Sequence, residues 1–283
     1  MDKRARSAYL GSMPELPEVE TTVRGLARYL DGARITRVEQ RRADLRRPFP
    51  DGLVQTLTGA MVMGLGRRAK YGLIHTDRAS TMVFHLGMSG RWRIEPDVLG
   101  PHDHLVLETD AGHRLSLCDP RRFGSVDLVD TPALAAWPQF AAMGPEPLGD
   151  ALDARHLKAA LDGRSAAIKL MLLDQRIVAG LGNIYVCEAL FRAGIDPRKA
   201  AGQVSRPALE RLVPAIKAVI AEAIEAGGST LRDYAQPDGQ LGYFSKRFDV
   251  YDRTDQPCTT CGAPIRRFAQ GGRSTWHCPK CQK

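Results

Sequence analysis

The chain reads as an α+β protein: one helix in front, then a β-sandwich, a helical domain and a terminal zinc ribbon. Three observations lead there. Short strand-like runs separated by Gly, Asp and Pro turns dominate from about residue 34 to 130. Helical periodicity takes over near residue 131. Two C-x-x-C pairs close the chain. A length of 283 residues suits two domains, or one large and one small, and 43% hydrophobic residues suffice for ordinary buried cores.

The elements follow in order. Val19, Val23, Leu26 and Leu30 recur at about helical spacing, which predicts an amphipathic helix over 17–30. Pro17 suits its first turn, where a missing N–H costs nothing, and Glu18 and Glu20 suit its positive end. Strands are expected at "RITRVE", "AMVMGL", "KYGLIHT", "TMVFHLG", "RWRIE", "HLVLET", "HRLSLCD" and "GSVDLV". Helices are expected at "TPALAAW", "DARHLKAAL", "SAAIKLMLLDQ", "NIYVCEALFRAG" and "RPALERLVPAIKAVIAEAIEAG". Residues 227–247, rich in Gly and polar side chains, predict a mobile loop.

The formal charge is +8, and arginine carries much of it in "RRADLRR", "GRRAK" and "DPRRFG". Such a balance suits a polyanion, nucleic acid first, although charge alone favours the simpler reading of a solvated basic surface. No apolar run is long enough to span a membrane, and residues 1–12 lack the apolar core of a secretory signal, so a soluble intracellular protein is expected. Sixteen residues lie between the pairs Cys258/Cys261 and Cys278/Cys281, a two-knuckle spacing that predicts one structural Zn2+ rather than disulfides. Cys118 and Cys187 stand alone in apolar contexts and read as buried free thiols.

The stretch "GSMPELPEVE" holds more than a helix start. If the chain began at Met13 and the methionine were removed, Pro14 would present a secondary α-amine. Such a group titrates at roughly 7.7–8.0, and a helix N-terminus lowers it further. The neutral amine attacks an aldehyde-like carbon to give a permanently cationic iminium, an electron sink for elimination. Glu15 can supply a proton to an oxygen leaving group. Lys70 opens a strand in "GRRAKYGL", where a plain surface lysine is the alternative. Met88 sits in a turn between Gly87 and Gly90, oddly placed for a core residue. Arg121, Arg122 and Phe123 form a loop tip that fits a wedge entering a duplex, against an Asp119–arginine ion pair with Phe123 tucked beneath. In "VAGLGNIYVCE", Gly180 and Gly182 permit backbone N–H groups to converge on an anion and Asn183 is expected as the cap; a tight helix–helix turn is the simpler reading. "HDH" at 102–104 lacks further ligands for a metal and reads as a polar loop. Lys169 interrupts an apolar helix without an assignable task. Near the ribbon tip, "QGGRSTWHC" places Arg273 beside two glycines, poised to hold a phosphate.

These motifs, in this order, resemble the bacterial formamidopyrimidine-DNA glycosylases over nearly all of residues 13–283: "MPELPEVE", "RRAKY", "HLGMSG", "HDH", "DPRRFG", "MGPEPL", "GLGNIY", "GGSTLRDY" and the zinc ribbon. Leu16 favours this branch over the sister endonuclease VIII branch, which usually opens with Pro-Glu-Gly-Pro. The resemblance implies a bifunctional base-excision-repair glycosylase and abasic-site lyase. It would flip an oxidised purine, such as 8-oxoguanine or a formamidopyrimidine, out of double-stranded DNA. Pro14 would be the nucleophile, Glu15 the proton donor, Lys70 the lysine of β-elimination and Arg273 the arginine tied to δ-elimination. Met88, Arg121 and Phe123 would fill the vacated space and probe the opposite base. His102, Arg121, Arg164, Asn183 and Tyr251 match DNA-contacting positions. Implied too are a catalytic sandwich domain over 13–131, a helix–two-turn–helix domain over 132–247 whose residues 228–243 cap the lesion, and a zinc-ribbon module over 248–283. A monomer acting on DNA in the bacterial cytoplasm, with no membrane partner, completes the expectation.

One departure stands. Twelve residues precede Met13, and with them attached Pro14 is an amide that cannot attack. Residues 1–12 are expected to be an extension or expression remnant, a misassigned start, or a removed segment. Otherwise the chain is a non-catalytic zinc-ribbon DNA-binding protein. An endonuclease VIII-type glycosylase for oxidised pyrimidines is the other alternative.

Overall fold

The computed structural model describes residues 13–229, 237 and 242–283. Helix α1 (Leu16–Leu30) starts one residue before its predicted position. Glu15 is its N-cap, and Glu15 and Glu18 form a reciprocal capping box that satisfies two otherwise orphaned N–H groups. Pro17 lies in the first turn, as its missing donor requires.

Eight strands follow: β1 (Ile35–Gln40), β2 (Val62–Arg68), β3 (Tyr71–Thr76), β4 (Ser80–His85), β5 (Arg91–Ile94), β6 (Asp103–Thr109), β7 (Arg114–Cys118) and β8 (Ser125–Asp130). They form two four-stranded sheets, ordered β1-β6-β7-β5 and β2-β3-β4-β8. Every pairing is antiparallel, so this is the expected sandwich. One short helix, α2 (Leu53–Leu57), was not foreseen; it buries Leu53 and Leu57 beside β1.

The helical part differs in detail from its periodicity. "TPALAA" forms a 3-10 helix, followed by the four-residue α3 (Pro138–Ala141). Helix α4 (Ala154–Leu161) is capped by Asp153, whose carboxylate accepts the His156 N–H at 2.7 Å. The apolar run "SAAIKLMLLDQ" yields only α5 (Ile168–Leu172). Extended Ala167 instead bridges Ala200, and the Asp174 side chain accepts the Arg176 N–H, ending the helix in a turn. Helix α6 (Asn183–Arg192) buries nearly its whole circumference, and α7 (Arg206–Glu225) carries Pro214 inside it. The predicted loop over 227–247 ends in a 3-10 helix, Phe244–Arg247, because the Phe244 ring anchors it in the helical core. Residues 230–236 and 238–241, which contain most of the expected lesion-capping segment, lie outside the described residues. The chain closes with the hairpin β9 (Arg266–Gln270) and β10 (Arg273–His277).

Helix α1 belongs to two cores. Val19, Val23, Leu26 and Leu30 pack with the sandwich, whereas Leu16 packs with the helices. Each such side chain contributes on the order of 2 kcal/mol by leaving water. The start of α1 therefore sits at the seam between sandwich and helices.

Candidate active site

Pro14 and Glu15 are both buried at that seam. The Glu15 Oε1 accepts the Ile184 N–H at 3.1 Å, at the start of α6, while Oε2 is buried without a partner among the described residues. Burial raises the Glu15 pKa to about 7; the nearby Lys70 charge opposes the shift and Glu18 adds to it. The glycines of "GLGN" make this approach possible. A Cβ on Gly182 would lie 2.2 Å from the Glu15 Cδ, and one on Gly180 would lie 2.6 Å from the Leu16 Cδ1. The α6 N-terminus does meet an anion, but that anion is Glu15. Asn183 is not the cap: Gly182, which has no side chain to offer, occupies that position, and the Glu15 carboxyl accepts the first-turn N–H instead.

Glu18 does more than complement a helix end. Its Oε2 accepts the Glu15 N–H at 2.9 Å, and its Oε1 accepts from the Tyr185 hydroxyl at 2.6 Å and the Ser229 N–H at 2.7 Å. One carboxylate thus joins α1, α6 and the segment following α7. The three-residue spacing from Glu15 to Glu18 was the available signal.

Lys70 lies in the two-residue turn between β2 and β3, after Ala69 at a φ of +52°, rather than in a strand. Burial lowers its pKa, Glu15 partly restores it and Arg273 lowers it again. Glu146 holds this turn. Its carboxylate accepts from Arg67 at 2.7 Å, from Arg68 at 2.8 Å and from the Ala69 N–H at 2.7 Å. Arg67 also pairs with Glu20 of α1 at 2.8 Å. Nothing local in "MGPEPL" announces this task.

The ribbon hairpin reaches the same place. Gly271, at a φ of +56°, packs against Leu170, where a Cβ would stand 2.6 Å from the Cδ2. Arg273 is exposed at the start of β10, and its charge acts on both Lys70 and Lys169. Lys169, fully buried, donates to the Ser274 carbonyl at 3.0 Å and to the Thr275 hydroxyl at 2.7 Å. Asn183 donates to the same carbonyl at 2.9 Å. Lys169 therefore has a task invisible in sequence: it ties α5 to the strand that carries Arg273. Burial raises the Tyr251 pKa well above its ordinary value, and the Asn183 amide acts against that shift. Buried Glu188 receives the Asp249, Val250 and Tyr251 N–H groups at 2.8–3.0 Å and fixes the entry into the ribbon.

The other candidates lie elsewhere. Met88 occupies the β4–β5 turn, half-buried. Phe123 is 44% exposed in the β7–β8 turn, with the Arg121 guanidinium 5.0 Å from its ring centroid. The Asp119–arginine pair is not formed among the described residues; Asp119 is buried and bonds to Ser89 and Gly124 instead. His102 is exposed beside His104, and Arg164 is exposed in the turn after α4. No contact among the described residues joins Arg164 to the Glu15–Lys70–Arg273 group.

The four ribbon cysteines present their sulfurs within 4.8 Å of one another, with Cys261–Cys278 at 3.4 Å and Cys258–Cys281 at 3.9 Å. Tetrahedral zinc with Zn–S bonds of about 2.3 Å needs sulfurs roughly 3.8 Å apart. The Thr260 and Cys281 N–H groups point at Cys258 and Cys278 and support the thiolate form. The set fits one structural zinc ion.

A buried acid, a desolvated lysine and an arginine on a cysteine-clustered hairpin thus come together where sandwich, helices and ribbon meet, and the class of protein built this way is a DNA glycosylase with a zinc finger. Comparison with known proteins agrees along the chain. Residues 13–126 match the formamidopyrimidine-DNA glycosylase N-terminal domain, 143–235 its H2TH domain, and 255–283 the zinc finger found in FPG and IleRS. The formamidopyrimidine-DNA glycosylase of Erythrobacter litoralis (strain HTCC2594) is 70% identical over 272 residues, covering 96% of this chain and all of that protein. The MutM (Fpg) protein of Thermus thermophilus superposes with a TM-score of 0.84 at 38% identity, covering 95% of this chain and 98% of that one. A Lactococcus lactis Fpg variant, solved in complex with a Fapy-dG containing DNA, gives 0.89 at 34% identity over 95% and 100%. The chain belongs to the formamidopyrimidine-DNA glycosylase family. It is a glycosylase and abasic-site lyase of base-excision repair for oxidised purines.

Proposed function

We propose that this enzyme works through the secondary amine of Pro14 on double-stranded DNA, taking 8-oxoguanine and formamidopyrimidines as substrates and acting as a monomer. The observation that carries the reading is the grouping of Glu15, Lys70 and Arg273 at the buried start of α1. In a chain that begins at Pro14, the neutral amine attacks C1′ of the extruded nucleotide. The C–N bond to the base breaks and the base leaves with a proton. Glu15, whose pKa burial raises above the ordinary carboxyl range, delivers its proton to the ring oxygen and opens the sugar. The resulting iminium withdraws electrons from the adjacent carbon. Lys70, desolvated and more easily neutral than an ordinary lysine, removes a C2′ proton, and the C3′–O bond breaks as the 3′-phosphate leaves in β-elimination. Arg273 pairs with the phosphate that leaves in δ-elimination.

The Met88, Arg121 and Phe123 tips enter the space left by the base, and His102, Arg164, Asn183 and Tyr251 hold the backbone. In this reading residues 13–131 carry catalysis, 132–247 grip the duplex and 248–283 present Arg273. The test is borohydride trapping on a duplex carrying 8-oxoguanine. Protein beginning at Pro14 gives a covalent adduct, and the chain with residues 1–12 attached gives none. No adduct from the shorter protein sinks the proposal. Faster excision of an oxidised pyrimidine than of 8-oxoguanine would move the enzyme to the other branch.

A further inference from the structure

The turns that carry Met88 and Phe123 both cross from one sheet to the other. They run side by side, because β4 pairs with β8 and β5 with β7. Between them lies a small buried polar bridge. The Ser89 hydroxyl donates to the Asp119 Oδ1 at 2.6 Å and accepts the Arg121 N–H at 3.0 Å. The Asp119 Oδ2 accepts the Gly124 N–H at 2.8 Å. The bridge thus holds the chain on both sides of Phe123 to the residue next to Met88. Close approach supports it. Gly87, at a φ of +62°, has no room for a Cβ, which would stand 2.3 Å from the Phe123 carbonyl carbon. The His85 Nδ1 accepts the Gly87 N–H at 3.0 Å, and burial lowers that ring's pKa to about 4, so the acceptor stays neutral and available at physiological pH.

We propose that Ser89 and Asp119 are positioning residues that make the Met88 turn and the Arg121–Phe123 turn move into DNA as one rigid wedge. Neither touches DNA; they act through the tips. The inference rests on the wedge reading of Met88 and Phe123. Two independently mobile tips would each have to be ordered on entering the duplex, whereas a braced pair is ordered beforehand.

The prediction is energetic coupling. Base extrusion is followed by 2-aminopurine fluorescence beside the lesion, and excision by single-turnover rates, opposite cytosine and opposite adenine. In the parent enzyme, Met88→Ala and Phe123→Ala each slow extrusion, and the double variant departs from the product of the two effects by at least about threefold. In a Ser89→Ala background the same two changes multiply independently, and the cytosine-over-adenine preference narrows. Asp119→Asn, whose amide accepts at only one atom, does the same, while Ser89→Thr keeps the coupling. Melting temperature accompanies each variant, because loss of stability alone does not make two effects independent. If Ser89→Ala and Asp119→Asn fold and retain the parent coupling, the brace is overturned while the wedge stands. If neither tip change slows extrusion, the wedge reading fails and the brace with it.

Discussion

Burial gives Glu15 a pKa of about 7 against an ordinary 4.5, in spite of the opposing Lys70 charge, and that difference belongs to the folded state. The fold holds this proton more tightly than the unfolded chain. Its contribution to stability is therefore complete below about pH 4.5 and lost as pH rises through about 7. Glu15→Gln removes the dependence. The variant should gain on the parent progressively across that window, by up to roughly 3 kcal/mol, in denaturant titrations at several pH values. A difference that does not change with pH would assign the proton elsewhere. Pro14, Glu15 and Arg273 are legible in sequence because each sits in a short stretch with an unusual chemical option. Glu18, Glu146 and Glu188 are not, since donors to their carboxylates lie 211, 77 and 63 residues away in sequence.

At the scale of elements, the site depends on how closely α1 and α6 approach. Gly182→Ala would push a methyl group into the Glu15 carboxyl. It should destabilise the protein by about 1–3 kcal/mol and slow excision more than it weakens DNA binding, as single-turnover rates and binding isotherms would show. The ribbon depends on its metal, because its small core of Val250, Ile265 and Trp276 forms around the cysteines and against Cys187 and Phe191 of α6. Chelating the zinc should lower DNA affinity by about tenfold or more while the sandwich stays folded, read by anisotropy of labelled DNA alongside circular dichroism. The eight strands were legible as short runs set off by Gly, Asp and Pro turns. The length of α5 was not, because the flanks of "SAAIKLMLLDQ" read alike whether they stay helical or turn away, and the bridge from Ala167 to Ala200 and the Asp174 turn decide it.

The whole molecule is held at its seam by a few charged groups. Glu146, from the chain leaving the sandwich, satisfies two arginines and a backbone N–H of the Lys70 turn, and Arg67 passes the connection on to α1. Glu146→Ala leaves those donors half-buried without their acceptor. It should cost about 2–3 kcal/mol and separate the unfolding of sandwich and helices into two calorimetric transitions. A single transition at the parent temperature would show that apolar packing of α1 alone joins the halves. The expected architecture of sandwich, helices and ribbon follows from periodicity and cysteine spacing. The seam does not, because it is made of side chains whose partners belong to different elements.

The two oxygens of Glu15 are unequal. Oε1 is committed to the Ile184 N–H, and Oε2 has no partner among the described residues. A neutral carboxyl placed this way keeps its hydrogen on Oε2, since the oxygen that accepts an N–H is the carbonyl one. The group therefore has a fixed polarity: it gives up its hydrogen in one direction and recovers it at the same atom. In the proposed reaction such an acid is reset for the next nucleotide without turning about its own bond.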